Sequence, residues 1–301
     1  MTLAHLKLFR DLAVQRSFSK AAQANSVSQS AASQHVQELE RHFATPLVDR
    51  STRPLSLTRA GELYLAMCQD VLLRRDHFEA ELSELLQKTE GRVRVAAIYS
   101  VGLGELGQLE ADFRARHPGA DLQVEFLRPE KIVEAIRADQ ADLGLLSYPR
   151  ETDEIVALPW REEEMVVTVA PRHPLARRKS VLPSELNGTD FVAFDDDLPV
   201  RRAIDAYLRD QLVAVNIALH FDNIAHIKEA VAHGAGLSIV PRPIVEADVA
   251  SGRLVAIPLG PPRLIRPLGI IYLRRKRLSK AAQAFLRLLE ESEEILAIPA
   301  T

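Results

Sequence analysis

Residues 18–43 read FSKAAQANSVSQSAASQHVQELERHF, and no other stretch narrows the options for the chain so far. Ala32, Val36 and Leu39 recur at i, i+4 and i+7, a small aliphatic stripe that has to pack inward on a helix. The opposite side carries Gln29, Ser30, Ser33, Gln34 and Gln37, uncharged amides and hydroxyls able to donate and accept along base edges in a major groove. Upstream, Ser19 is placed to cap a short helix over residues 20–24, whose Ala21 and Ala22 permit a close crossing. Residues 25–27 then form a turn with Val27 plugging the corner, and Ser28 caps the second helix. The pattern predicts a DNA-reading helix-turn-helix; a plain helical hairpin with a polar outer face is the competing reading.

The flanks favour the first. Residues 3–15 put Leu6, Phe9, Leu12 and Ala13 on one helical face, able to pack behind the pair. Residues 47–58, LVDRSTRPLSLT, read as two short strands around a turn at residues 51–54, a wing whose Arg53 projects toward a minor groove. The net charge of −3 hides an asymmetry: residues 1–60 carry +4 and the remainder −7. A basic module on an acidic body is the footprint of a phosphate-facing end.

From Thr58 to about Thr89 the pattern stays helical, with Leu63, Met67, Val71, Phe78, Leu82 and Leu85 near a heptad seam. So long a stripe exceeds what the small winged module can cover, which predicts pairing with a second copy and hence a homodimer. The alternative lays the helix on its own C-terminal body. No apolar run approaches the roughly 18 residues of a bilayer span, and the N-terminus is a charged periodic helix rather than a signal peptide, so no membrane partner and a cytoplasmic location are expected. Cys68 is the only cysteine, read either as a small buried side chain or as a redox-sensing thiol.

Gly91 ends the helix and a different texture begins. Short apolar runs at 93–98, 122–126, 143–146, 165–170, 191–194, 217–221, 237–240 and 268–273 alternate with helical stretches at 103–116, 129–138, 200–211, 224–233 and 279–296. The alternation predicts α/β structure with largely parallel sheets. Residues 147–163, with Pro149 and Pro159, are read as separating two groups of strands, hence two subdomains with a ligand cleft between them.

Gly102, Gly104 and Gly107 follow a strand and open a helix with dinucleotide-binding spacing, and Glu125 ends the next strand. An NAD(P)-dependent oxidoreductase is therefore the enzyme alternative, although the first glycine lies late for a tight strand-to-helix turn and the N-terminal half would be unexplained. A cytoplasmic solute-binding module is the other alternative. No H-E-x-x-H, G-x-S-x-G or phosphate-loop motif occurs; no catalytic residue, metal or cofactor is expected, and the chain reads as a non-enzyme. His220, His226 and His233 lack the pairing of a metal site and read as surface or packing residues; residues 274–277, RRKR, read as a solvated loop.

Together with residues 46–61, the long helix, RVRVAAIYSVG, FRARHPGADLQVEF and IKEAVAHGAGLSIVP, the N-terminal run resembles the LysR-type transcriptional regulators over essentially the whole chain. The resemblance implies a winged helix-turn-helix (residues 1–58), a dimerising linker helix (59–90) and a two-subdomain effector-binding domain (91–301) similar to periplasmic solute-binding proteins. Subdomain I would take residues 91–161 and 266–301, subdomain II residues 162–265. It implies binding to double-stranded promoter DNA, control by a small-molecule effector, homotetramers built as dimers of dimers, and RNA polymerase as a further candidate partner. Carried over by position, Gln29, Ser30, Ser33, Gln34 and Arg53 match residues that contact bases or grooves, and Ser28, Arg50 and Thr58 match phosphate-side residues. Ser100, Val101, Gly102, Ser147, Phe194, Asp195, Asn223 and Ile224 match cleft positions.

Four departures matter. Ala44 stands where the family usually ends the helix with glycine, at a cost of about 1 kcal/mol for a left-handed Ala, which points to a different ending for that turn. Val48-Asp49 replaces the usual aromatic-containing pair, and Gln34 stands where arginine is common. Asp195, Asp196 and Asp197 precede Pro199 at a helix start; they either stabilise the helix dipole or face the cleft, where they would disfavour a simple dianion and favour a neutral or cationic effector, or one held by Arg201 or Arg202.

Overall fold

The computed structural model describes residues 2–85, 91–102 and 106–296. Its N-terminal part contains α1 (Leu3–Gln15), α2 (Phe18–Ala24) and α3 (Gln29–Phe43). Ala32, Val36 and Leu39 of α3 are buried against Leu6, Phe9 and Leu12 of α1, with Ala21 and Ala22 of α2 in the same core. Ser28 caps α3, accepting from the Ala31 N–H over 3.1 Å. Two local expectations are corrected. The cap of α2 is Ser17, which accepts from the Lys20 N–H, because its extended backbone (φ −153°) lets the helix start before Ser19. Val27 is 42% exposed and plugs nothing; the corner is held by its N–H on the Ala22 carbonyl and by the left-handed Ser26 (φ 54°).

Ala44 adopts the left-handed conformation after all (φ 50°, ψ 31°), so the turn keeps the family's ending without glycine. Glu40 supports it: its Oε1 accepts from the N–H groups of Leu47 (2.9 Å) and Val48 (3.1 Å) just downstream. The wing follows as an antiparallel pair, β1 (Val48–Asp49) and β2 (Ser56–Leu57).

The long helix is α4 (Arg59–Leu85); the expected extension to Thr89 falls on residues 86–90, outside the described residues. Its 27 residues span about 40 Å. Tyr64, Cys68 and Leu72 pack into the winged core. Burial pushes the Cys68 thiol up to about 12, so almost no thiolate exists at neutral pH and the inert, buried reading holds. Leu63, Val71, Phe78, Leu82 and Leu85 of the expected seam lie exposed.

The C-terminal part is α/β, but its sheet is mixed rather than largely parallel. β3 (Gly91–Ala97) pairs in parallel with β4 (Ala120–Phe126) and β5 (Leu143–Ser147). β11 (Ile265–Leu273) then runs antiparallel to β5 and to β6 (Ile155–Val169). β6 also corrects the expected separation at residues 147–163: it is one 15-residue strand that continues past Pro159, where the register with β11 shifts beside Gly269. Its C-terminal half pairs with β9 (Ser238–Pro241) and β10 (Val255–Pro258). A separate parallel pair joins β7 (Asp190–Phe194) to β8 (Asn216–Phe221).

Two apolar cores result. Subdomain I is centred on Val93, Phe113, Ile132, Leu143, Trp160 and Phe285, with the single turn α5 (Tyr99–Gly102) after β3 and a cover of α6 (Leu106–Arg116), α7 (Pro129–Arg137) and α11 (Lys280–Leu296). Subdomain II is centred on Val167, Phe191, Ile204, Ile227 and Val245, covered by α8 (Pro199–Asp210), α9 (Ile224–Ala232) and α10 (Arg242–Ala250). β6 and β11 cross between them, so the two bodies share a two-strand hinge. The basic run at 274–277 is no solvated loop: Arg275 and Arg277 pair with Asp70 and Glu81 of α4, and Lys276, 8% exposed, bonds Asp139 and Asp142.

Candidate nucleic-acid interface and ligand cleft

Burial of the aliphatic stripe leaves Gln29, Ser30, Gln34 and Gln37 exposed on the far side of α3, with Ser33 half-buried in the same row. Ser28 and Ser30 share a hydroxyl hydrogen bond of 2.9 Å at the helix start. The wing adds positive charge. Arg53 is exposed at its tip, whereas Arg50 is held back, 3.0 Å from Glu40 and 5.6 Å over the Phe18 ring. Thr58 donates its hydroxyl proton to the Pro46 carbonyl (2.7 Å) and accepts from the Gly61 N–H (3.1 Å). That proton is committed to the protein, so Thr58 starts α4 and has no donor left for a phosphate.

The cleft opens beyond the carboxyl ends of β3, β4 and β5, where open α/β sheets take ligands. Tyr99, Ser100, Arg128 and Ser147 line it from subdomain I; Phe194, Leu198, Asp222 and Ile224 face them from subdomain II. The space between measures about 480 Å³, open mouth included. On its floor Arg266, 2% exposed, donates Nε to Glu163 (3.0 Å) and Nη1 to the Ser100 hydroxyl (3.0 Å). Ser100 therefore accepts from the protein and keeps its own proton to donate.

At the rim one guanidinium meets four carboxylates. Arg128 bonds Glu130 (2.8 Å) on its own side, then Asp197 (2.6 Å) and Asp222 (3.3 Å) across the cleft, with Asp195 at 3.8 Å. The bond to Glu130, ahead of that to Asp197, pushes the Arg128 pKa up. Asp195 also holds His220 at 2.6 Å. The acidic run thus faces the cleft mouth and does not cap α8, whose cap residue is Leu198 with no side-chain bond. Arg201 and Arg202 are not ligand-facing: Arg201 bonds Asp205 and the Phe194 carbonyl, and Arg202 the Asp197 carbonyl.

Of the cleft residues expected from sequence, Ser100 and Ser147 line one wall, Phe194 and Ile224 the facing one, and Asp195 stands at the rim. Val101 is turned into the core of subdomain I, 3% exposed. Asn223 caps α9 through the Ala225 N–H (2.9 Å). Gly102 lies against Phe126, whose ring a Cβ would meet at 2.1 Å, so its small size serves ring packing rather than pyrophosphate approach; Gly104 of that motif is outside the described residues. Sequence reading missed Arg128, Asp222 and Arg266. The last had a signal: a lone arginine in the apolar run 264–273, matched by the acids at 162–164. Among the described residues no His, Cys, Asp and Glu group is arranged to hold a metal ion, and no helix is long and apolar enough to cross a membrane.

Residues 3–62 match the bacterial regulatory helix-turn-helix protein, lysR family, and residues 86–294 the LysR substrate binding domain. The chain belongs to the lysR family. This LysR-type regulator is 30% identical to the HTH-type transcriptional regulator YeiE of Escherichia coli K12, over 95% of this chain and 96% of that one. A full-length OxyR variant from Pseudomonas aeruginosa superposes with a TM-score of 0.75 at 22% identity, covering 99% of this chain and 96% of that one. The regulatory domain of Synechocystis PCC6803 CcmR in complex with 2-PG superposes with a TM-score of 0.64 at 24% identity, over 70% of this chain and all (100%) of that domain. The protein is thus a transcriptional regulator with a winged DNA-binding module and an effector-binding domain.

Proposed function

We propose that this LysR-type regulator works as a homodimer, assembled further into a dimer of dimers, that reads operator DNA through α3 and is switched by a small effector in the cleft. The observation that carries the reading is the two-sidedness of α3, with Ala32, Val36 and Leu39 buried and the amide and hydroxyl row turned outward. In this reading Gln29, Ser30, Ser33, Gln34 and Gln37 meet base edges, Arg53 enters the minor groove beside them, and Ser28 and Arg50 stand on the phosphate side, Arg50 after release from Glu40. Division of the chain at residues 58 and 90 follows, with α4 as the dimerising element and the cytoplasm, where the DNA partner lies, as the location. The exposed apolar row on α4 supports self-association, and two copies would present two reading helices to half-sites about 34 Å apart.

The cleft supports an effector with an apolar body and one hydrogen-bonding head on Ser100 and Ser147. Glu163 neutralises Arg266 on the floor, and the rim carries more carboxylates than cations. Both features disfavour a dianion. Calorimetric binding of a small dicarboxylate that is lost in Ser100→Ala would count against this part.

The test of the whole is a gel shift on the DNA upstream of the protein's own gene, over a salt series, with Ser33→Ala and Arg53→Ala. Arg53→Ala should weaken operator binding and lower the salt slope by about 1, while Ser33→Ala should erode discrimination between sites by about 1–3 kcal/mol. Equal affinity of the unaltered protein for operator and random DNA would refute base reading by α3.

A further inference from the structure

One helix begins at the cleft and ends at the DNA-binding module. At the start of α7, Arg128 reaches across to Asp197 and Asp222 of subdomain II. Past its end the chain turns through Asp139, left-handed at φ 55° and 3% exposed, and its carbonyl accepts two guanidinium donors. One is Arg94 of β3 (2.7 Å) and the other Arg10 of α1 (3.1 Å), which is itself 4% exposed. Arg10 also donates Nε to Asp11 (3.1 Å), and Asp11 accepts from the side chain of Asn25 (2.8 Å), the first residue of the turn that leads into α3. Gln140 adds a second bond to Asp11 from the effector side (3.4 Å).

These groups are buried polar atoms whose partners water cannot cheaply replace, so the seam favours a docked arrangement over graded loosening. α7 is nine residues long, about 13 Å, and its buried Ile132, Ala135 and Ile136 pack it on the sheet, so it moves as a unit. A shift at Arg128 is then a shift at Asp139.

We propose that α7 is a lever within a single chain, with Arg128, Asp139 and Arg10 as positioning residues that couple the state of the cleft to the way the turn at residues 25–28 presents the reading helix. Closing the cleft through Arg128 holds Asp139 under Arg10; releasing Arg128 from Asp197 and Asp222 loosens the seam and, through Asp11 and Asn25, the turn before α3. The inference rests on the ligand-cleft reading only for what releases Arg128.

The test is amide hydrogen exchange on the full-length protein without DNA or effector, so it can fail while that reading stands. Arg128 is partly exposed and its removal leaves no buried charge, so Arg128→Ala and Asp197→Asn should fold. Both should speed exchange at residues 22–28 by at least about fivefold, the low end of site-to-site coupling. Glu130→Gln, which leaves the bond across the cleft in place, should not. Arg10→Ala should do the same as Arg128→Ala, and the double variant should exceed neither; if Arg10→Ala does not fold, Gln140→Ala, which removes the second bond across the seam, should speed the same segment in the same direction. Faster exchange confined to the cleft segments, with residues 22–28 unchanged, would overturn the proposal, as would independent, multiplying effects of Arg10→Ala and Arg128→Ala.

Discussion

Arg266 and Glu163 pair side by side on β11 and β6, the two strands that cross between the subdomains, 2% and 8% exposed. Removing one partner strands the other charge in the interior. Arg266→Met is therefore expected to cost about 3–5 kcal/mol, while Arg266→Met with Glu163→Leu should return close to the original stability. Urea unfolding of the two single variants and the double variant measures this. The double variant should still fail to bind effector, because Ser100 loses the donor that orients it.

The pair Asp139 and Asp142 makes stability depend on acid pH. Burial would raise the Asp142 pKa, but the charges of Lys276 and then Arg94 overturn this and hold it below the ordinary carboxylate value; Asp139 is lowered with the same partners. A carboxyl depressed in the folded state contributes stability that is complete above its unfolded pKa, near 4, and is lost as pH falls through the folded value. Unfolding midpoints should thus hold from pH 7 to about 5 and drop below about 4. Lys276→Met should be clearly less stable at pH 7, and the gap should narrow as the pH falls below about 4 and the carboxyls begin to take up protons. A gap independent of pH would show that Lys276 acts through packing alone.

Features that depend on near neighbours were readable from sequence, and those set by distant partners were not. The stripe Ala32, Val36, Leu39 needs only helical period, and the packed core follows it. Ser17 and Ser19 are both plausible caps, and the choice falls to backbone geometry. Pro159 looks like a strand breaker until β11 supplies the register shift that admits it. The run at 274–277 looks solvated because its partners Asp70 and Glu81 lie about two hundred positions away. In the cleft, Ser100 and Ser147 were legible through the family resemblance as positions at strand ends, whereas Arg128 matters only because the fold brings Asp197 and Asp222 opposite it.

Ala44 offers a stabilising change. A Cβ in the left-handed region costs about 1–2 kcal/mol, partly offset by the greater freedom glycine has when unfolded. Ala44→Gly should therefore raise stability by about 0.5–1 kcal/mol without altering DNA binding, since Ala44 lies at the far end of α3 from Ser28 and Gln29. Thermal melting with a gel shift on the same preparation checks both parts.

The exposed row on α4 bears on assembly. Phe78 is 60% exposed and Leu82 41%, on a helix whose other side is already occupied by Tyr64, Cys68 and Leu72 near the wing and by Arg275 and Arg277 farther along. An apolar row of this kind along a helix of about 40 Å marks an interaction surface. Phe78→Asp with Leu82→Asp adds charge to a face that none of the described residues buries, so the monomer should keep its fold and helical content. In sedimentation velocity the original protein should run as a dimer or larger species, and the double variant should shift toward the monomer. DNA affinity should fall with it, because one winged module alone grips one half-site. An unchanged sedimentation profile with full DNA binding would mean that α4 is not the dimerising surface, and that contacts elsewhere on the effector domain set the assembly.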